Sequence, residues 1–177
     1  MDPTSVPATR LAEAIAAGEL SSTEVVEAHL RRIEAVNPRV NAVVQVDGDR
    51  ALAAAREADA SSAPPGPLHG VPFTVKDNLE AAGVEMAIGA EERVGTVPDA
   101  DATVVARMRA AGAILLGKTN CPEYGGGIET DNAVYGRTNN PYDLGRTPGG
   151  SSGGEAAAIA AASPRSSRPP AASPSPA

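Results

Sequence analysis

The first third of the chain places apolar residues at helical spacing. Residues 11–16 (LAEAIA) fit one face of a helix, which Gly18 is expected to end. Residues 21–24 (SSTE) have the form of a capping box, in which a serine and a glutamate each satisfy a free backbone N–H. The helix that follows is expected to end at residues 37–38 (NP), because proline cannot continue the hydrogen-bond pattern. Its predicted core residues are Val25, Ala28, Leu30, Ile33 and Val36.

The middle of the chain alternates short apolar runs with helical patterns. A strand or an extended segment is predicted at residues 41–46, strands at residues 71–76 and 113–116, and helices at residues 49–60 and 103–111. Strand, helix and strand in this order predict an α/β fold, with a sheet and flanking helices. The predicted buried residues of the last helix are Val104, Val105 and Met108, with Gly112 closing it.

Three segments are predicted to lack regular structure. They are the loop at residues 61–67 (SSAPPGP), the Gly-, Asn- and Pro-rich stretch at 121–154, and the last residues, 163–177. The last segment has alanine as its only apolar residue type, so a disordered tail is expected after a helix that starts in residues 155–162. The side chains expected to brace the long loop are Arg137, Asn139, Asn140 and Arg146.

Composition limits the environment and the partners. The net charge of −7 disfavours nucleic acid or an anionic membrane as the main partner. The single cysteine, Cys121, excludes an intrachain disulfide and suits a reducing cytosol. Since the sequence shows neither a secretory signal nor an apolar run of about 18 residues, a cytoplasmic protein is expected.

Residues 149–154 (GGSSGG) carry distinctive chemistry ahead of an alanine-rich helix. Glycines allow close backbone approach, and free N–H groups at a helix start favour negative charge, so two hydroxyls placed there suit acyl transfer. A plain glycine-rich turn is the alternative, and a phosphate loop is weaker because no Gly-Lys-Ser/Thr ending follows. A nucleophile elbow at Ser152 would need a histidine downstream, and the sequence has none there.

Lys76 ends the apolar run VPFTVK, and is therefore placed at the carboxyl end of a strand. This is where α/β sheets place their functional sites, and a partly buried lysine can act as a base. The alternative is a lysine at a strand end that simply reaches solvent.

Taken together, three segments resemble the amidase-signature family. They are residues 69–78 (HGVPFTVKDN), 117–143 (GKTNCPEYGGGIETDNAVYGRTNNPYD) and 146–158 (RTPGGSSGGEAAA). The resemblance runs from about residue 8 to about residue 162. It implies that residues 1–162 form the N-terminal part of a single mixed α/β amidase domain. It also implies hydrolysis of a small-molecule amide to acid and amine, without a metal or organic cofactor.

The resemblance implies roles for individual residues as well. The family uses a Ser–cis-Ser–Lys triad, in which Lys76 matches the base and Ser151 matches the bridging serine that follows a cis peptide bond. Ser152 is then its structural neighbour. The segment that resembles the lining of the family's acyl pocket is Gly125, Gly126, Gly127 and Ile128.

One part of the family pattern has no match in the sequence. The family's acylating serine follows the bridging serine by about two dozen residues, in a stretch resembling Asp-x-Gly-Gly-Ser-Ile-Arg. Ser175 stands at about that separation, but the prolines on either side of it cannot form the required turn. We therefore expect the chain to be inactive alone, and interpret residues 163–177 as an out-of-frame tail after a frameshift near residues 160–163.

Two alternatives to a general amidase stay open. The first is the related A-type component of a tRNA-dependent amidotransferase. Members of that group resemble His-Lys-Asp and Asn-Met-Asp-Glu-Phe where this chain has residues 75–77 (VKD) and 120–124 (NCPEY), which look like general amidases. The second is a non-catalytic fragment of a disrupted gene.

Overall fold

The computed structural model describes residues 1–62 and 66–162. Within them the chain forms a mixed α/β fold, which confirms the predicted fold class. The helices are α1 (Ala8–Ala16), α2 (Ser22–Val40), α3 (Gly48–Ala60), α4 (Thr103–Ala110) and α5 (Gly153–Ala162). The strands are β1 (Val43–Val46), β2 (Pro72–Lys76) and β3 (Ile114–Thr119).

The sheet has β3 at its centre, with β2 parallel to it on one side and β1 antiparallel on the other. Every residue of β3 is buried. Because β2 and β3 run in the same direction, their carboxyl ends meet, and Lys76 pairs with Thr119. This edge of the sheet is where the candidate site lies.

The core has two layers, one on each face of the sheet. Alternate residues of β3 serve opposite layers, as the pleat of a strand requires. On one face, Ile114 and Leu116 pack with α2 and α3. On the other, Leu115 packs with Val75 and with Val105 of α4. Full burial of such a side chain contributes about 1.5–3 kcal/mol relative to leaving it exposed, so these layers fix how β2 and β3 lie together.

The predicted start and stop signals of the first helices are confirmed. α1 is followed by Gly18, whose φ of +71° is the left-handed conformation typical of a helix end. At the start of α2, the Ser21 hydroxyl accepts the Glu24 backbone N–H, and the Glu24 carboxylate accepts the Ser21 N–H at 2.8 Å.

The predicted end of α2 is wrong, because the helix continues through Pro38 to Val40. In the last turn, a proline removes its own N–H from the helical hydrogen bonds, and the helix tolerates the loss of this one bond. The helix ends instead at Asn41, which adopts a left-handed φ of +52°. The Asn37 side chain then accepts the next two backbone N–H groups, at 2.8 and 2.9 Å.

Two other predictions also need correction. β3 does not end at residue 116 but runs on to Thr119, because the Lys118 ammonium is buried against the carboxylate of Asp77. Val104 is 48% exposed, since α4 turns the neighbouring Val105 toward the sheet instead.

Residues 63–65 and 163–177 lie outside the described part of the chain. The predicted tail and Ser175 fall there, as does part of the predicted loop at 61–67. Among the helices that the structure describes, none has the length and apolar character needed to cross a membrane.

Candidate active site

Lys76 and Ser151 meet at the carboxyl end of β2. The Lys76 amine donates a hydrogen bond to the Ser151 hydroxyl, with 2.7 Å between Nζ and Oγ. Lys76 is the last residue of β2, and Ser151 lies two residues before α5, after a cis Gly150–Ser151 peptide bond. Both side chains are half-buried. The predicted meeting of these residues is confirmed, at a distance that allows direct proton transfer.

The glycines after Ser151 are required by close packing. A Cβ at Gly153 would collide with the hydroxyl of Thr130, and a Cβ at Gly154 would collide with the backbone of Asn120. The Gly154 N–H donates to the Asn120 carbonyl at 3.2 Å, which is possible only because the two backbones touch. The first turn of α5 is therefore pressed against the end of β3 by residues without side chains.

Thr130 joins the two ends of the turn that carries Ser151. Its buried hydroxyl donates to the Gly149 carbonyl at 2.9 Å and accepts the Gly153 N–H at 3.0 Å. No pattern in the sequence indicates this role of Thr130, because a single threonine in a long polar loop has no periodic signal.

Glu155 ties the start of α5 to the sheet. Its carboxylate accepts hydrogen bonds from the Thr74 hydroxyl at 2.8 Å and from the Thr119 hydroxyl at 3.1 Å. Thr74 lies two residues before Lys76, and therefore on the same face of β2. Glu155 thus fixes the helix that follows Ser151 to β2, which carries Lys76, and to the neighbouring β3. No pattern in the sequence indicates this role of Glu155.

The predicted substrate loop lies beside this pair. A Cβ built on Gly125 would stand 3.8 Å from Lys76 Nζ, so the loop passes close to the amine. The backbone of Gly150 lies against residues 127–129 of the same loop. Gly125 and Gly127 are half-buried, Gly126 is exposed, and the side chain of Ile128 is 88% exposed. A role of these residues in binding substrate stays a prediction.

The long loop is braced mainly by buried amides and hydroxyls. Asn120 donates to the Thr138 hydroxyl at 3.0 Å and accepts from the Asn132 side chain at 2.7 Å. The braces predicted from the sequence lie nearer the surface, where Asn139 donates to the Arg39 carbonyl at 2.7 Å. The other three predicted residues bond within the loop, to Asn139, Leu144, Tyr142 and Asp143.

A second lysine, Lys118, lies close to the site but is sealed from solvent. Its ammonium stands 3.4 Å from a carboxylate oxygen of Asp77, and both side chains are fully buried. Burial raises the pKa of Asp77 and lowers the pKa of Lys118, and in each case the partner's charge opposes the shift. The other Asp77 oxygen accepts the Ile88 N–H at 2.7 Å. This pair holds the segment after Lys76 in place.

A cavity of about 530 Å³ lies between the N-terminal segment, α2 and α5. Its mostly apolar lining includes Phe73, Ile159 and Glu155 but neither Lys76 nor Ser151. The chemistry of the candidate site therefore lies outside this cavity.

The sequence resemblance implies this arrangement, in which a half-buried lysine is hydrogen-bonded to a serine at the sheet edge of a mixed α/β fold. The family model described as Amidase matches residues 24–164. The chain belongs to the amidase family.

Individual relatives agree with this assignment. The chain is 50% identical over 156 residues to the A component of the glutamyl-tRNA(Gln) amidotransferase of Salinispora arenicola, covering 86% of this chain and 32% of that protein. It is 44% identical over 149 residues to an acylamidase of Rhodococcus erythropolis, covering 82% and 31%. Among solved structures, 6-aminohexanoate cyclic dimer hydrolase superposes with a TM-score of 0.81 at 43% identity, covering 92% and 33%. The chain thus spans about a third of the length of the relatives that it matches.

Proposed function

We propose that Lys76 and Ser151 are the base and the bridging serine of an amidase that hydrolyses a carboxylic amide to an acid and an amine. The observation that carries this proposal is the 2.7 Å contact between Lys76 Nζ and Ser151 Oγ. The likeness to an acylamidase supports the same reaction class.

The proposed reaction moves one proton along the pair in each half. Neutral Lys76 accepts the Ser151 proton while Ser151 accepts the proton of an attacking serine hydroxyl, which forms an ester with the acyl carbon. The C–N bond breaks, and the relayed proton goes to the leaving amine. Water then attacks the ester and releases the acid. The proton of this water passes through the same pair to the oxygen of the departing serine.

We further propose that the 177 residues alone do not complete this relay. Within residues 1–62 and 66–162, the Ser151 hydroxyl has a hydrogen bond with Lys76 and with no second serine. The purified chain should therefore hydrolyse simple amides no faster than its Lys76→Ala variant. A serine-directed covalent probe that labels Ser151, Ser152 or Ser175, with labelling lost on mutation, would contradict this.

A graft tests the roles of the two residues directly. Residues 1–162 would replace the matching part of the Rhodococcus acylamidase, which supplies the remaining two thirds. The graft should hydrolyse amides, and Lys76→Met or Ser151→Ala should each lower kcat by about 10²–10⁴-fold, the usual contribution of acid–base catalysis. Ser62→Ala, a serine in an exposed loop, serves as the control. Variants of Lys76 and Ser151 as active as this control would refute the proposed relay.

The second candidate is the A-type component of a tRNA-dependent amidotransferase, which the 50% identity to the Salinispora protein favours. A parallel graft onto the remainder of the Salinispora protein discriminates between the two. If only this graft is active, and only in glutamyl-tRNA(Gln) amidotransfer, the second candidate replaces the first.

A further inference from the structure

We propose that Thr130 is the positioning residue that keeps Ser151 in contact with Lys76. This inference rests on the proposed function, in which these two residues form the relay. Thr130 itself is expected to touch neither substrate nor the reacting atoms.

The Thr130 hydroxyl uses both kinds of hydrogen bond across the turn. A hydroxyl has one donor and two acceptor positions. Here the donor goes to the Gly149 carbonyl and an acceptor takes the Gly153 N–H, at 2.9 and 3.0 Å. Because Thr130 is fully buried, water does not compete for these groups.

The two bonded groups flank Ser151 symmetrically, two residues before it and two residues after it. Within the described residues, the Ser151 side chain has no hydrogen bond besides that with Lys76. Its position is therefore set by the ends of the turn, which Thr130 holds together. Proton transfer is sensitive to displacements well below 1 Å, so slack at these ends would separate the pair.

Other contacts hold the flanking helix independently of Thr130. Glu155 bonds Thr74 and Thr119, and the Gly154 N–H bonds Asn120. Loss of the Thr130 hydroxyl should therefore loosen the turn while α5 stays on the sheet.

The sequence offers a direct way to observe the pair. Lys76 and Lys118 are the only two lysines in the 177 residues. Protein labelled with ¹⁵N-lysine gives one side-chain amine signal from each, and the exchange of those amine protons with water can be measured by NMR. Lys76 then reports on the Ser151 contact, and buried Lys118 reports whether the fold is intact.

The variants separate the hydroxyl from the volume of the side chain. Thr130→Val removes the hydroxyl and keeps the shape, whereas Thr130→Ser keeps the hydroxyl. Thr138→Val is the matched control, because Thr138 is also fully buried and its hydroxyl also makes two bonds, to the Asn41 carbonyl at 2.6 Å and from Asn120 at 3.0 Å.

Exchange of the Lys76 amine protons should rise by about tenfold in Thr130→Val, as expected for the loss of one hydrogen bond. It should stay close to the unsubstituted protein in Thr130→Ser and Thr138→Val, with Lys118 protected throughout. Unchanged exchange at Lys76 in Thr130→Val, or an equal rise in Thr138→Val, would overturn the proposal.

If Lys118 also loses protection in Thr130→Val, that variant has unfolded, and Thr130→Ala is compared with Thr138→Ala instead. Should both hydroxyl-free variants at position 130 unfold while those at 138 fold, Thr130 acts in folding and the proposal is wrong. The readout needs no turnover, so an inactive graft would count against the proposed function and leave this result standing.

Discussion

Lys76 and Lys118 lie on neighbouring parallel strands, one register position apart, and have opposite surroundings. Lys76 pairs with Thr119, whereas Lys118 pairs with Val75, so their side chains lie on opposite faces of the sheet. Lys76 is half-buried and bonds a neutral hydroxyl. Lys118 is sealed against the Asp77 carboxylate.

This difference separates a structural lysine from the lysine to which we assign proton transfer. Burial lowers the pKa of Lys118, and the Asp77 carboxylate opposes that shift, because loss of the Lys118 proton would leave the partner charge uncompensated. Among the described residues Lys76 forms no ion pair within 4 Å, so no partner charge opposes the proton transfer with Ser151 that we propose. Lys118 is suited to a structural role, and Lys76 to the proton transfer that we propose for it.

Removing the buried ammonium should have the largest effect. Lys118→Met would leave the Asp77 carboxylate buried without a counter-ion, and the free energy of unfolding should fall by about 3–5 kcal/mol. Urea unfolding followed by circular dichroism measures this. The double variant Lys118→Met with Asp77→Asn should recover much of the loss, because no lone charge then remains. A single variant that loses less than about 1 kcal/mol would show that the pair contributes little to stability.

The next largest effect is a pH dependence of stability at Cys121, which lies close to Asp77 in the same buried region. Burial, reinforced by the nearby Asp77 charge, raises the pKa of the Cys121 thiol from 9.0 to about 11. The folded state therefore keeps a proton that the unfolded state loses. The contribution of the protonated thiol to the free energy of unfolding is fully present below pH 9 and is lost as the pH rises to about 11.

The loss should amount to about 2–3 kcal/mol, from two pH units at about 1.4 kcal/mol each. Unfolding free energies of the chain and of Cys121→Ala, measured between pH 8 and 11, isolate this term. Parallel curves for the two proteins would show that the thiol titrates normally.

The smallest effect on the free energy of unfolding is expected at Lys76, the less buried of the two lysines. Lys76→Met removes a hydrogen bond from a half-buried position and leaves no unpaired charge behind. The free energy of unfolding should therefore change by no more than about 1 kcal/mol. Urea unfolding beside Lys118→Met gives the contrast, and losses of equal size at the two lysines would remove the distinction drawn between them.

Local signals predicted the elements of the fold better than their ends. The capping box at Ser21 needs residues only three apart, so the sequence is sufficient to find it. The end of α2 depends on the hydrogen bonds of the Asn37 side chain and on the left-handed backbone of Asn41. In the sequence, Pro38 lies between them and is the stronger stop signal, so it predicts the wrong end. The extension of β3 depends on Asp77, 41 residues from Lys118, and a lysine inside a strand resembles a surface residue until its partner is known.

The site divides in the same way. Lys76 and Ser151 were predicted because whole motifs, and not single residues, resemble a known family. Thr130 and Glu155 were missed because their partners lie 19 to 81 residues away, and no pattern within the loop or the helix marks them.

The close contacts at Gly153 and Gly154 predict which positions stay constant when a gene of this family is no longer selected for catalysis. A copy released from selection for catalysis, but still required to fold, should keep these glycines because any side chain would strike Thr130 or Asn120. Lys76 and Ser151, whose loss should disturb the fold little, would be free to vary. In a saturation library sorted only for soluble expression, the glycines should tolerate almost no substitution while the two polar positions tolerate many. The glycine motif therefore identifies the architecture, whereas the pair at positions 76 and 151 is required only for the relay that we propose.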